Sequence, residues 1–183
     1  MAMQVKKIDD IFNFEKGKLQ SSKNVPGDYI FITAAADWKT HESYTHECEA
    51  LIFAHGAEGS LGRTHYIDNE KFIASDLCYV ITPKEEYVED IDLYFYYIYF
   101  NSIKDRIKKD IATGTSKKAI NQTNFSKYEV IFPDIDFQKE FKLSIKKISS
   151  LIDIYKENID NLEKLKTSIF QEAFYEKMQE YNL

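Results

Sequence analysis

The chain has 183 residues, 44% of them hydrophobic and 15% aromatic, which is room for one globular domain with a real core plus an extension, and excludes a disordered chain. The opening residues Met1 to Lys7 lack the apolar stretch of a secretory signal, and no apolar run reaches membrane-spanning length, so a cytoplasmic protein with no membrane contact is expected. A formal net charge of -6 speaks against blanket attraction to nucleic acid, leaving local charge as the feature to follow.

In chain order, Val5, Ile8, Ile11 and Phe12 have helical spacing and predict a short amphipathic helix over Val5 to Phe14. A polar loop from Glu15 to Asn24 carries Lys16, Lys18, Gln20 and Lys23. The turn signal Pro26-Gly27-Asp28 precedes a buried strand, Tyr29 to Thr33, and a second loop holds Asp37, Trp38, Lys39 and His41. Ala50 to Ala54 reads as a strand, followed by a glycine-bearing loop with Ser60 and Arg63 and a strand from Thr64 to Ile67. Alternation from Phe72 to Pro83 predicts one or two more strands.

The aromatic run Ile91 to Phe100 reads as a buried helix continuing towards Ile107, with Asp90 or Asp92 as its cap. A polar bend from Thr113 to Lys118 separates it from a one-turn helix near Gln122 to Phe125 and a last strand, Tyr128 to Pro133. From about Phe137 to Tyr181 the pattern is one long helix. Phe141, Ile145, Ile148, Ile152, Tyr155, Ile159 and Leu162 alternate four-step and three-step spacing, the 3.5-residue period of a coiled-coil seam. About 45 residues of helix span some 65 Å, more than the rest of the chain can cover, so a second helix is expected on the seam. The fold class expected is α+β: residues 1-134 as one domain with a twisted mixed sheet and packed helices, and residues 135-183 as one long C-terminal coiled-coil helix.

Catalytic patterns are missing. Ser60 lies in Gly59-Ser60-Leu61-Gly62, which is neither a nucleophile elbow nor a phosphate loop, since no Gly-Lys-Ser/Thr follows. His41, His46, His55, His65 and the two cysteines, Cys48 and Cys78, lack paired metal-ligand spacing, and reduced thiols are expected. No glycine fingerprint for a dinucleotide or S-adenosylmethionine follows a strand, so no cofactor and no metal are expected on this chain. Basic and polar residues fit DNA better: the clusters Lys16, Lys18 and Lys23, Lys104 to Lys109, and Lys117 and Lys118 for phosphates, and loop residues including Gln20, Trp38, Lys39, Ser60 and Arg63 for base edges.

The order Gly59-Ser60-Leu61-Gly62-Arg63, Phe72-Ile73-Ala74-Ser75, aromatic helix, Thr113-Gly114-Thr115, Val130-Ile131-Phe132-Pro133, Gln138 and heptad helix resembles one repeat of the specificity subunit of type I restriction-modification systems. That resemblance implies a non-catalytic subunit: residues 1-134 as a target recognition domain for double-stranded DNA, and 135-183 as a dimerisation and docking arm. It also implies methyltransferase subunits that bring S-adenosylmethionine, with or without endonuclease subunits, as partners. A full subunit of that family has two recognition domains and two antiparallel helices; this chain shows one of each, so the resemblance implies a homodimer reading a bipartite palindrome. The competing reading from the residues is a coiled-coil adaptor that binds protein and never touches DNA.

Overall fold

The computed structural model describes residues 3–115 and 117–180; Ser116 of the predicted bend and Tyr181 of the predicted helix lie outside them. Two compact units divide the chain, Met1–Lys139 and Glu140–Leu183.

In the first unit, strands β1 (Gln4–Lys7) and β8 (Glu129–Phe132) pair antiparallel as a small sheet, Val5 opposite Ile131. A six-stranded mixed sheet has the order β2-β7-β5-β6-β3-β4, formed by β2 (Phe12–Lys16), β3 (Tyr29–Ile32), β4 (Lys39–His41), β5 (His46–Ala54), β6 (Thr64–Ala74) and β7 (Cys78–Pro83). β3 and β6 run parallel, Phe31 beside Ile73, and the other pairs are antiparallel. The helices are α1 (Ile8–Ile11), α2 (Leu93–Ile111), α3 (Gln122–Ser126) and α4 (Ile135–Glu180).

β5 explains the architecture. Its run Ala50-Leu51-Ile52-Phe53-Ala54 is fully buried, as a strand covered on both faces must be. Ala50, Ile52 and Ala54 join Ile32, Ile67, Phe72, Cys78 and Val80 in an apolar core on one side. The alternate residue Phe53 meets an aromatic layer from the helices, 6.1 Å from Phe100 and 4.6 Å from Phe125 by ring centroids. Phe12 of β2 meets Tyr96 of α2 edge-on at 5.0 Å in the same layer.

The helix ends obey local chemistry. Asp92 caps α2, its carboxylate accepting from Phe95 N at 3.0 Å; Asn121 does the same for α3, and Asp134 accepts from Phe137 N at the start of α4. The fully buried Gln138, in the first turns of α4, accepts from Asp92 N and donates to Asp90 O and Pro133 O at 2.8–2.9 Å.

Three expectations need correction. The predicted helix over Val5 to Phe14 is strand, one helical turn, strand: Val5 is 58% exposed rather than on an apolar face, and the flanking segments are drawn into pairing with β8 and β7. Lys39 and His41 are not in a loop but on edge strand β4, where His41 is buried and bonded to Asn24. The strand from Thr64 does not stop at Ile67; β6 continues to Ala74 through Asn69 at φ 52°, a left-handed residue that shifts the register against β5.

Candidate functional site

The β5–β6 connection, residues 55–63, is the junction of the polar segments. His55 N and Gly56 N donate to Leu77 O, while Ile120 N donates to His55 O at 2.8 Å. Gly17 N donates to Cys78 O, and Asp76 N to Leu19 O. A Cβ at Gly17 would overlap the Ser75 carbonyl, which is why a residue without a side chain separates Lys16 from Lys18 here. Lys16 ends β2 and Lys18 follows it; Lys117 and Lys118 precede Ala119, whose N–H and C=O both pair with Thr113. All four lysines are exposed, and the backbone bonds around His55 join the segments that bear them. Gly62, at φ 84°, turns this connection back against Lys104 of α2.

Further along, Gln20 precedes a 3-10 turn at Ser21–Lys23, and Asn24 donates to Thr40 O at 3.1 Å, tying the Lys23 end of that turn to β4, where Lys39 sits. Between β3 and β4, the segment 33–38 is held from β6. Arg63 Nη1 donates to Ala34 O at 2.8 Å and to Ser60 Oγ at 3.0 Å. His65 Nε2 bonds Ala35 O at 2.9 Å, and its Nδ1 accepts from Trp38 Nε1 at 3.2 Å. Trp38 is 45% exposed and meets the His65 ring nearly edge-on. Arg63 and Ser60, expected to face outwards, are half-buried and bonded to each other and to the protein backbone. A groove of about 410 Å³ runs beside them, lined by Arg63, His65, Tyr97 and Asn101 among others.

Burial pushes both His55 and His65 below the ordinary histidine range, and the nearby charges of Lys16 and Arg63 respectively act in the same direction. The histidines are engaged separately, His41 with Asn24, His46 with Glu15, His55 with Asp76 O and His65 with Ala35 and Trp38. The buried Cys78 thiol is pushed up to about 12 by burial and by Asp76, which keeps it protonated.

Sequence reading missed His65 as an organising residue and missed Asn101 altogether. The Asn101 amide accepts from Thr64 N and donates to Thr64 O, completing the ladder at the start of β6 from a neighbouring helix. Neither has a local signal, because each acts on a backbone group more than twenty residues away.

In the second unit, the predicted seam lies on one continuous helix. Phe141 and Ile145 are half-buried, but Ile148, Ile152, Tyr155, Ile159 and Leu162 are 48–65% exposed. Leu165, Ile169, Phe170 and Phe174 continue the exposed apolar surface. Among the described residues no helix is long and apolar enough to cross a membrane.

Comparison with known proteins points one way. The sequence model of the family described as "Type I restriction modification DNA specificity domain" matches residues 2–164. Among solved structures, the type I restriction-modification S subunit from M. genitalium superposes with a TM-score of 0.63 at 18% identity, covering 85% of this chain and 43% of that one. A structure described as showing complex assembly and conformational transition of the type I R-M system gives 0.64 at 12% identity, with 85% and 40% covered. The HsdS subunit from Thermoanaerobacter tengcongensis gives 0.60 at 12%, with 82% and 38% covered. The chain thus spans about two fifths of the length of these structures. Comparison with curated protein sequences returns no match.

Proposed function

The chain belongs to the type I restriction modification DNA specificity family, and from that premise we propose that it reads DNA sequence as one half of a symmetric specificity subunit. Residues 1-134 act as the target recognition domain, and 135-183 as the arm that pairs with a second copy and docks methyltransferase subunits. Methyl transfer from S-adenosylmethionine, and any cleavage by an endonuclease subunit, belongs to those partners; this chain contributes specificity and no catalytic group.

The observation that carries the reading is the exposed seam. A helix of 46 residues, about 69 Å long, offers apolar side chains at heptad spacing that are half exposed in the single chain. Charge favours a second copy in the opposite direction. Lys142, Lys146 and Lys147 make the N-terminal third of the helix basic, whereas Asp153, Glu157, Asp160 and Glu163 make the next stretch acidic. An antiparallel pair brings unlike stretches together, and a parallel pair would align like with like. The layers then set Ile145 against Leu162, Ile148 against Ile159 and Ile152 against Tyr155, with the two-fold axis between Asp153 and Ile154.

Because an isologous pair repeats one recognition domain, both half-sites have the same sequence, and the target is a bipartite palindrome with unread base pairs between. Trp38, Ser60, Arg63, Gln20 and the lysines Lys16, Lys18, Lys23, Lys39, Lys117 and Lys118 form the DNA surface in this reading. Co-expression with the cognate methyltransferase, followed by genome-wide mapping of methylated bases, tests it: a gapped palindrome is expected, and a continuous or asymmetric motif with this chain as sole specificity component would remove the symmetric model. Substituting Lys39, Lys117 and Lys118 by alanine should flatten the salt dependence of DNA binding by about one unit of slope for each phosphate that is no longer neutralised. An unchanged slope would move the DNA surface elsewhere.

A further inference from the structure

Arg63 and His65 stand two residues apart at the entry to β6, the spacing that puts side chains on one side of an extended backbone, and they reach consecutive carbonyls, Ala34 O and Ala35 O. The segment 33–38 is therefore gripped at two adjacent points. The grip is reinforced within the segment, where Ala35 N donates to Thr33 Oγ1 at 3.1 Å. At its far end stands Trp38, whose indole N–H, a donor with no acceptor capacity, is satisfied by His65 Nδ1.

That pair of bonds determines the state of His65. One ring nitrogen must donate to a carbonyl and the other must accept from an N–H, and only the neutral imidazole carrying its proton on Nε2 does both. An imidazolium would face the indole N–H with a second N–H. The groups around the ring agree: it is partly desolvated, Arg63 adds a like charge from the same strand entry, and Tyr97 and Asn101 of α2 line the adjoining groove without charge. The backbone of Ala35 and Thr33 pulls the other way but does not outweigh burial.

A large aromatic ring is ordinarily buried when its polar edge is satisfied. Trp38 has its edge satisfied and still presents 45% of its surface, so Arg63, His65 and Thr33 together hold an exposed ring in place. Ordering before contact lowers the entropic cost of binding, and exposed, pre-ordered tryptophan is a recurrent anchor at interfaces. We propose that Trp38 is a specificity-determining contact of the DNA surface, and that Arg63 and His65 are positioning residues that hold its segment by the carbonyls of Ala34 and Ala35, His65 acting as the neutral imidazole. This rests on the DNA-reading function above and assigns Arg63 to holding the surface rather than to reading a base.

Trp38 is the single tryptophan of the chain, so its emission reports this site alone. In the free full-length chain, emission should change between pH 7 and 5 with a midpoint below the ordinary histidine value, and the change should vanish in His65→Phe; a wild-type emission flat across that range would overturn the clamp. In the complex with methyltransferase subunits, on a duplex carrying the mapped target, Trp38→Ala should weaken binding by roughly tenfold or more, the range of one aromatic–base stack, while binding to a scrambled duplex changes less than about twofold. His65→Phe should reproduce part of that weakening and abolish the pH dependence of target binding over the same range. Target affinity within about twofold of wild type in Trp38→Ala would overturn the proposal and leave the DNA-reading function standing. A wild-type complex that binds no DNA would overturn that function and with it the role of Trp38, while the emission titration would still decide the clamp.

Discussion

The two units of this protein use the same apolar residue types in opposite ways. In Met1–Lys139, Ile52, Phe53, Tyr96, Phe100 and Phe125 are wholly removed from solvent; in Glu140–Leu183, Ile152, Ile159, Leu162 and Phe174 are roughly half exposed. The difference lies in geometry rather than composition. A sheet with helices packed on it satisfies its apolar faces within one chain, because sheet and helix each cover the other. A single helix has no such second layer, and its apolar seam stays exposed until a further helix packs on it. The first unit is therefore expected to owe its stability to its own core, and the second, in the proposed dimer, to owe its burial to concentration and a partner.

Four perturbations test that contrast, beginning with the largest effect. Glutamate at both Ile148 and Ile152 places two unpaired charges in each half of the proposed seam, on the order of several kcal/mol against dimerisation. Sedimentation should show monomer at micromolar concentration while the near-ultraviolet signal of the aromatic core stays intact; a persistent dimer would put the interface elsewhere. Phe53→Ala should do the reverse. It removes a ring held between Phe100 and Phe125, at about 3–5 kcal/mol, and should lower the urea midpoint of the sheet unit without changing the association of α4. Loss of both together would show that the two units are not independent.

Gln138→Leu is smaller and falls where α4 starts. It removes the amide that bonds Asp92 N, Asp90 O and Pro133 O, about 1–3 kcal/mol if solvent does not reach them. A urea midpoint equal to that of wild type would mean water replaces the amide. The smallest effect is on pH. Burial holds the His55 imidazole below its unfolded value, so the unfolded chain takes up the proton first. The contribution of His55 is complete above about pH 6.5 and is lost as pH falls through the folded value. His55→Gln should shrink the fall in melting temperature between pH 7 and 5; an equal fall in both proteins would assign the dependence to other groups.

Much of this was local and therefore readable in the sequence. The 3.5-residue spacing from Phe141 to Leu162, the Asp92 cap and the apolar run of β5 each concern residues within a turn or two of one another, and helix and strand formed where those patterns stood. The N-terminal segment shows the limit. Val5, Ile8, Ile11 and Phe12 have helical spacing, yet pairing of Gln4–Lys7 with β8 and of Phe12–Lys16 with β7 overrides it, and those partners lie more than sixty residues away. The same division runs through the candidate site. Exposed loop lysines were visible as composition, while the clamp on Trp38 was not, because it joins a tryptophan to a histidine 27 positions on and uses the carbonyls of Ala34 and Ala35, groups that every residue has and no sequence pattern marks. Side-chain identity and spacing thus determined which elements form; which backbone groups meet which side chains was decided only when the sheet brought β3, β4 and β6 side by side.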